Sequence, residues 1–76
     1  MLTAAQADAL CAKFPATFGL RGFPGDTFRV STAFSYVGDD GSIVVYTEIW
    51  RDGTWAAFAK GSVTELAREV CALGRR

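Results

Sequence analysis

Seventy-six residues are enough for one domain and sit near the lower limit at which a single hydrophobic core carries a fold without disulfide or metal staples. Half of them are apolar and six are Phe, a composition that argues against disorder. Eight basic residues balance eight acidic ones with no block of like charge, which points away from nucleic acid or an anionic membrane as partner and leaves copies of the chain without long-range repulsion.

Thr3 and Gln6 have the spacing of a capping box, and Ala7, Leu10, Cys11 and Phe14 then recur as one apolar stripe. This predicts a short amphipathic helix that ends near Lys13, because Pro15 disfavours helical geometry at Phe14. Pro15 to Asp26 interleaves Pro and Gly with Phe18, Leu20 and Phe23 and reads as a loop, either folded over the end of the core or exposed for recognition.

Thr27 to Val37 alternates as a half-buried strand, and Gly38-Asp39-Asp40-Gly41 supplies a turn. Ser42 to Arg51 is a second strand, rich in β-branched and aromatic residues. Asp52-Gly53 carries the signature of a type I′ hairpin turn leading into a third strand, Thr54 to Lys60. Ser62 and Glu65 form a second capping box, followed by the stripe Val63, Leu66, Ala67, Val70, Cys71 and Leu73, with Gly74 placed to end the helix. The fold class is therefore α+β, in the order α-β-β-β-α: a three-stranded antiparallel meander with the helices packed on one face, forming a single domain over residues 1–76.

Register can be traced outward from the turns. A two-residue loop at Asp52-Gly53 pairs Arg51 with Thr54, Trp50 with Trp55, Ile49 with Ala56, Glu48 with Ala57 and Thr47 with Phe58. A four-residue first turn pairs Val37 with Ser42, Phe34 with Val45, Val30 with Ile49 and Arg29 with Trp50. One face then collects Phe28, Val30, Phe34, Tyr36, Ile43, Val45, Ile49, Ala56 and Phe58 and is the expected core. The opposite face carries Arg29, Tyr46, Glu48, Trp50 and Trp55 among small residues.

The Trp50 to Trp55 segment resembles the Trp-zipper hairpins, in which facing indoles bracket a tight turn. That resemblance covers Trp50 to Trp55 and implies hairpin stability; read structurally, the indoles staple the hairpin, with Arg29 stacking on Trp50 as a cation–π contact. The functional alternative is an exposed aromatic patch of Tyr46, Trp50 and Trp55 with Arg29, Glu48 and Arg51 as its polar rim, a composition suited to a protein interface.

Chemistry for catalysis is missing from the sequence. There is no His, hence no Cys–His or Ser–His pair, and no carboxylate pair with an apolar setting that would shift its pKa, so no enzyme is expected. Asp39 and Asp40 read as a solvated turn. Cys11 and Cys71 make a poor metal site and fall on apolar helix stripes, where thiols pack as small hydrophobes. Gly19, Gly22 and Gly25 precede a strand and not a helix, so no phosphate-cradling loop and no cofactor is expected. Low cysteine density, the lack of a basic leader with an apolar run, and the lack of an apolar stretch of ~20 residues favour a cytoplasmic setting.

The α-β-β-β-α order and the length resemble the double-stranded-RNA-binding domain, which would imply a nucleic-acid partner. The residues depart from that family: Lys60 stands alone before Gly61, Ser62, Val63, Thr64 and Glu65 where a lysine cluster is required, and Asp39-Asp40 replaces a basic loop. In size and build the chain looks like the small phage-encoded inhibitors of host defence, among them the anti-CRISPR proteins. That resemblance implies steric blockade of a host protein or nucleoprotein complex and transfers no residue. A homodimer through the aromatic face or a free sheet edge is the third reading.

Overall fold

Both predicted capping boxes form. In α1 (Ala4–Cys11) the Thr3 hydroxyl accepts from the Gln6 amide at 3.1 Å while the Gln6 side chain accepts from the Thr3 amide at 2.9 Å. In α2 (Val63–Glu69) Ser62 and Glu65 exchange the same bonds at 3.1 and 3.0 Å. Each cap satisfies amides that a helix start leaves open, worth about 1 kcal/mol. The computed structural model describes residues 1–71, apart from the side chains of Pro24 and Asp26.

The α+β class is as expected, but among the described residues the sheet has five strands, not three: β1 (Phe18–Leu20), β2 (Phe23–Val37), β3 (Ile43–Arg51), β4 (Thr54–Ser62) and β5 (Val70–Cys71), in the spatial order β4-β3-β2-β1-β5. Every pairing is antiparallel. The Pro15–Asp26 segment is not a plain loop. Its Phe18 and Leu20 form β1, both buried, and Gly22 at φ 87° turns the chain into β2 at Phe23. Gly supplies that left-handed conformation at low cost.

The second helix is also shorter than its stripe. It ends at Glu69, and Val70 and Cys71 extend to pair with Leu20 and Gly19. The Arg21 amide donates to the Glu69 carbonyl at 2.9 Å, tying the β1–β2 turn to the end of α2. Leu73 and Gly74, expected in this helix, lie outside the described residues. Cys11 and Cys71 are free thiols and exposed, not buried in helix stripes.

β4 and β5 lie at opposite edges, which on a flat sheet would be four spacings of about 4.8 Å apart. The seven residues of α2 that join them rise only about 10 Å. The sheet therefore curls around the helix, and bulges supply the bend. In the concave face Phe18, Leu20, Phe28 and Ile49 form the core cluster, with Phe14, Val30, Leu66 and Val70 packed against it. Phe28, Phe23 and Phe58 stack edge to face, with centroids 5.0 to 6.3 Å apart.

The Asp52-Gly53 hairpin keeps the expected register from Arg51–Thr54 through Glu48–Ala57, with φ 52° and 78° at the two turn residues. Beyond Glu48 it slips: Thr47 pairs with Ala59, not Phe58, and Phe58 becomes the extra residue of a bulge. The β2–β3 register differs more. Val37 pairs with Ile43 and Tyr36 with Val44, whereas Ser31 pairs with Tyr46, Arg29 with Glu48 and Phe28 with Ile49. From Ser31 to Tyr36 is five steps on β2 against two on β3. Three extra residues are thus looped out, and Phe34 and Tyr36 leave the core face to which alternation assigned them.

Candidate functional site

The convex face of the sheet is built from four cross-strand rows: Thr27–Trp50–Trp55, Arg29–Glu48–Ala57, Ser31–Tyr46–Lys60 and Tyr36–Val44–Ser62. Residues that pair across antiparallel strands share a face, so these rows lie side by side along about 20 Å of β3 between Val44 and Trp50. Five of the six residues expected at a binding surface are here: Arg29, Tyr46, Glu48, Trp50 and Trp55. Arg51 is exposed but pairs with Thr54 one position beyond the Trp row, on the alternate face.

At one end Trp50 and Trp55 meet with ring centroids 5.3 Å apart and planes at 61°. The edge-to-face arrangement suits the ring quadrupoles. The guanidinium of Arg29 lies 4.1 Å from the ring centroid of Trp55, not over Trp50 as the expected register implied. Register explains the change: Arg29 is opposite Glu48, which brings it diagonally to the indole on β4. Trp50 is left 46% exposed.

In the middle, Glu48 is not a rim residue. It is only 9% exposed, its Oε1 accepts from Arg29 Nε at 2.7 Å, and its Oε2 accepts from the Ser31 hydroxyl at 3.3 Å. Both carboxylate oxygens are therefore engaged within the fold. A buried carboxylate needs this pairing, because an uncompensated one is strongly destabilising. Arg29 in turn is held on two sides, by the carboxylate and by the indole face.

At the other end the looped-out segment of β2 makes an aromatic cluster that alternation alone had concealed. Ser35 is buried and its hydroxyl donates to the Ser31 carbonyl at 2.6 Å while accepting from the Tyr46 amide at 2.9 Å. The Ser31 hydroxyl accepts from the Phe34 amide at 3.2 Å. These bonds replace the interrupted ladder and turn Phe34 outward, where its ring and that of Tyr36 stand 6.2 and 6.4 Å from Tyr46. Phe34 is 51% exposed. The signal that could have located this bulge is Ser31 and Ser35 four residues apart inside a strand, since serine hydroxyls bond backbone groups at that spacing.

Among the described residues no cluster of three or more His, Cys, Asp or Glu is close enough to hold a metal ion, and no helix is long and apolar enough to cross a membrane. A groove of about 320 Å³ runs beside Arg29, Ser31 and Glu48, with Cys11 at its border. A smaller one of about 130 Å³, lined by Leu20, Val45 and Leu66, lies on the concave side beneath α2. Remote from both, Asp40 is held below the usual carboxylate value by the Ser42 hydroxyl and then the Ser42 amide, at 2.7 and 3.0 Å. No protein-family model, curated protein or solved structure matches this chain.

Proposed function

We propose that the chain is a protein-binding module whose convex sheet face docks on another protein, acting as a small steric inhibitor of a host protein or nucleoprotein complex. One observation carries the docking face. Phe34 and Trp50 project at opposite ends of a single face while the residues between them are fixed by ladder, bulge and ion pair. Exposed rings on a rigid support lose little conformational entropy on binding, and aromatic residues with Arg are the usual interface anchors. The inhibitor role rests on size and build.

A homodimer is favoured by a separate observation. β4 is an edge strand with most of its residues exposed. Its bulge at Phe58 and the charge of Lys60 both work against edge-to-edge pairing, so this is the second reading. The element order differs from the α-β-β-β-α order of the double-stranded-RNA-binding domain, since a β1–β2 hairpin replaces the single first strand.

The test is affinity capture from a host lysate on the immobilised chain, beside a Phe34→Ser/Trp50→Ser variant shown to be folded by circular dichroism. The reading expects a partner retained by the parent chain and lost from the variant. Equal retention on both would sink it. Recovery of the chain alone, with a doubled mass in solution, would favour the homodimer.

A further inference from the structure

We infer that Arg29 is the specificity anchor of the convex face and that the partner inserts a side-chain carboxylate, flanked by apolar residues, against its guanidinium. This rests on the docking face proposed above and names the chemistry that face selects. Arg29 bonds Glu48 through Nε at 2.7 Å, which leaves the Nη1–Nη2 edge out of that bond, and its side chain remains 44% exposed. That edge presents two parallel N–H donors in the geometry that matches a carboxylate.

The guanidinium is also preorganised. Glu48 fixes the Nε side and Trp55 supports the plane at 4.1 Å, so an incoming group does not have to order a free arginine. Charge complementarity selects the sign of the ligand. Arg29 and Glu48 are neutral as a pair, so the balance of charge on this face is set by Lys60, one row further opposite Tyr46, while Arg29 keeps N–H donors that Glu48 does not take. The aromatic ends place apolar surface on either side: Trp50 beyond Arg29 in one direction and Tyr46 with Phe34 in the other. An acidic residue between apolar ones fits that order of features, and a partner with a basic residue at this point would bring a like charge beside Arg29.

The test selects binders from a random linear peptide library displayed on phage against the immobilised full chain, then measures the enriched peptide and a copy with its acid replaced by the corresponding amide. Fluorescence anisotropy reads both on the parent chain and on Arg29→Gln/Glu48→Gln, a double change that leaves no buried carboxylate unpaired. The expected result is one fixed Asp or Glu between apolar positions, amide binding weaker by about tenfold on the parent chain, and acid and amide binding alike on the double variant. Peptides that need Trp50 but show no acid preference overturn this inference and leave the docking face standing. No enrichment that depends on Trp50 overturns both. A labelled single-stranded oligothymidine that binds in an Arg29-dependent way and displaces the peptide would reassign the site to phosphate and overturn it as well.

Discussion

The hydroxyl of Ser35 closes the sheet against Tyr46 where the backbone ladder is interrupted, accepting from the Tyr46 amide at 2.9 Å and donating to the Ser31 carbonyl at 2.6 Å. One side chain thus satisfies a donor and an acceptor that three looped-out residues would otherwise leave open. The same contact sets the outward position of Phe34 and Tyr36.

Ser35→Ala removes both bonds at a buried position and should cost about 1–3 kcal/mol, since buried groups left without partners carry most of that penalty. Denaturant unfolding measures the loss, and amide exchange should speed up first at Tyr46. An unchanged midpoint with unchanged Tyr46 protection would contradict the role given to the hydroxyl.

The two indoles have different jobs, and their substitutions should separate. Trp55 packs edge-on with Trp50 and also carries Arg29, so Trp55→Ser should cost about 1–2 kcal/mol of stability. Trp50 is exposed and lacks the arginine, so Trp50→Ser should cost less and chiefly weaken binding. A double-mutant cycle on the pair should return a coupling of about 0.5–1.5 kcal/mol.

Two glycines should fail for different reasons when changed to Ala. At Gly53 a Cβ meets no atom within 4 Å, so the roughly 1–2 kcal/mol cost comes from a φ of 78° alone. At Gly61 the Cβ would stand 2.8 Å from Glu65 Oε1, the oxygen that caps the Ser62 amide. Gly61→Ala should therefore break the capping box, and its cost should overlap with that of Glu65→Ala instead of adding to it. Thermal unfolding of the two single variants and the double variant reads this directly.

Asp40 gives a pH dependence of known sign. Its folded pKa lies below the usual 3.8 because Ser42 donates to the carboxylate. Its contribution is present above the unfolded value and is lost as pH falls through the lower folded value. Asp40→Asn should remove this acid-side component and leave stability at neutral pH with only the loss of the turn bonds. A carbon-detected NMR titration of Asp40 reporting an ordinary or raised pKa would contradict it.

The hairpin at Asp52-Gly53 was legible because its turn chemistry is local and fixes register without help from the core. Its reach ended at Phe58, where an inserted residue depends on packing against Phe28 and Phe23. The β2–β3 register came out two residues away from the expectation at Arg29, an even slip that preserves faces, so Arg29, Tyr46, Glu48, Trp50 and Trp55 were still grouped together. The three-residue bulge is an odd slip, and it reversed Phe34 and Tyr36. Strands as short as β1 and β5 carry no readable period, and Val70 and Cys71 fit a helical stripe equally well until β1 offers them a ladder. Burial of Glu48 depended on Ser31 and Arg29 converging from β2, which no spacing within β3 announces.

The convex face, as proposed, binds a protein through its exposed aromatic ends. The most direct measurement is a binding isotherm of a captured partner on the parent chain and on folded Phe34→Ser/Trp50→Ser. An affinity at least about a hundredfold weaker is expected for the variant, because two interface anchors are lost. Equal affinities would contradict it.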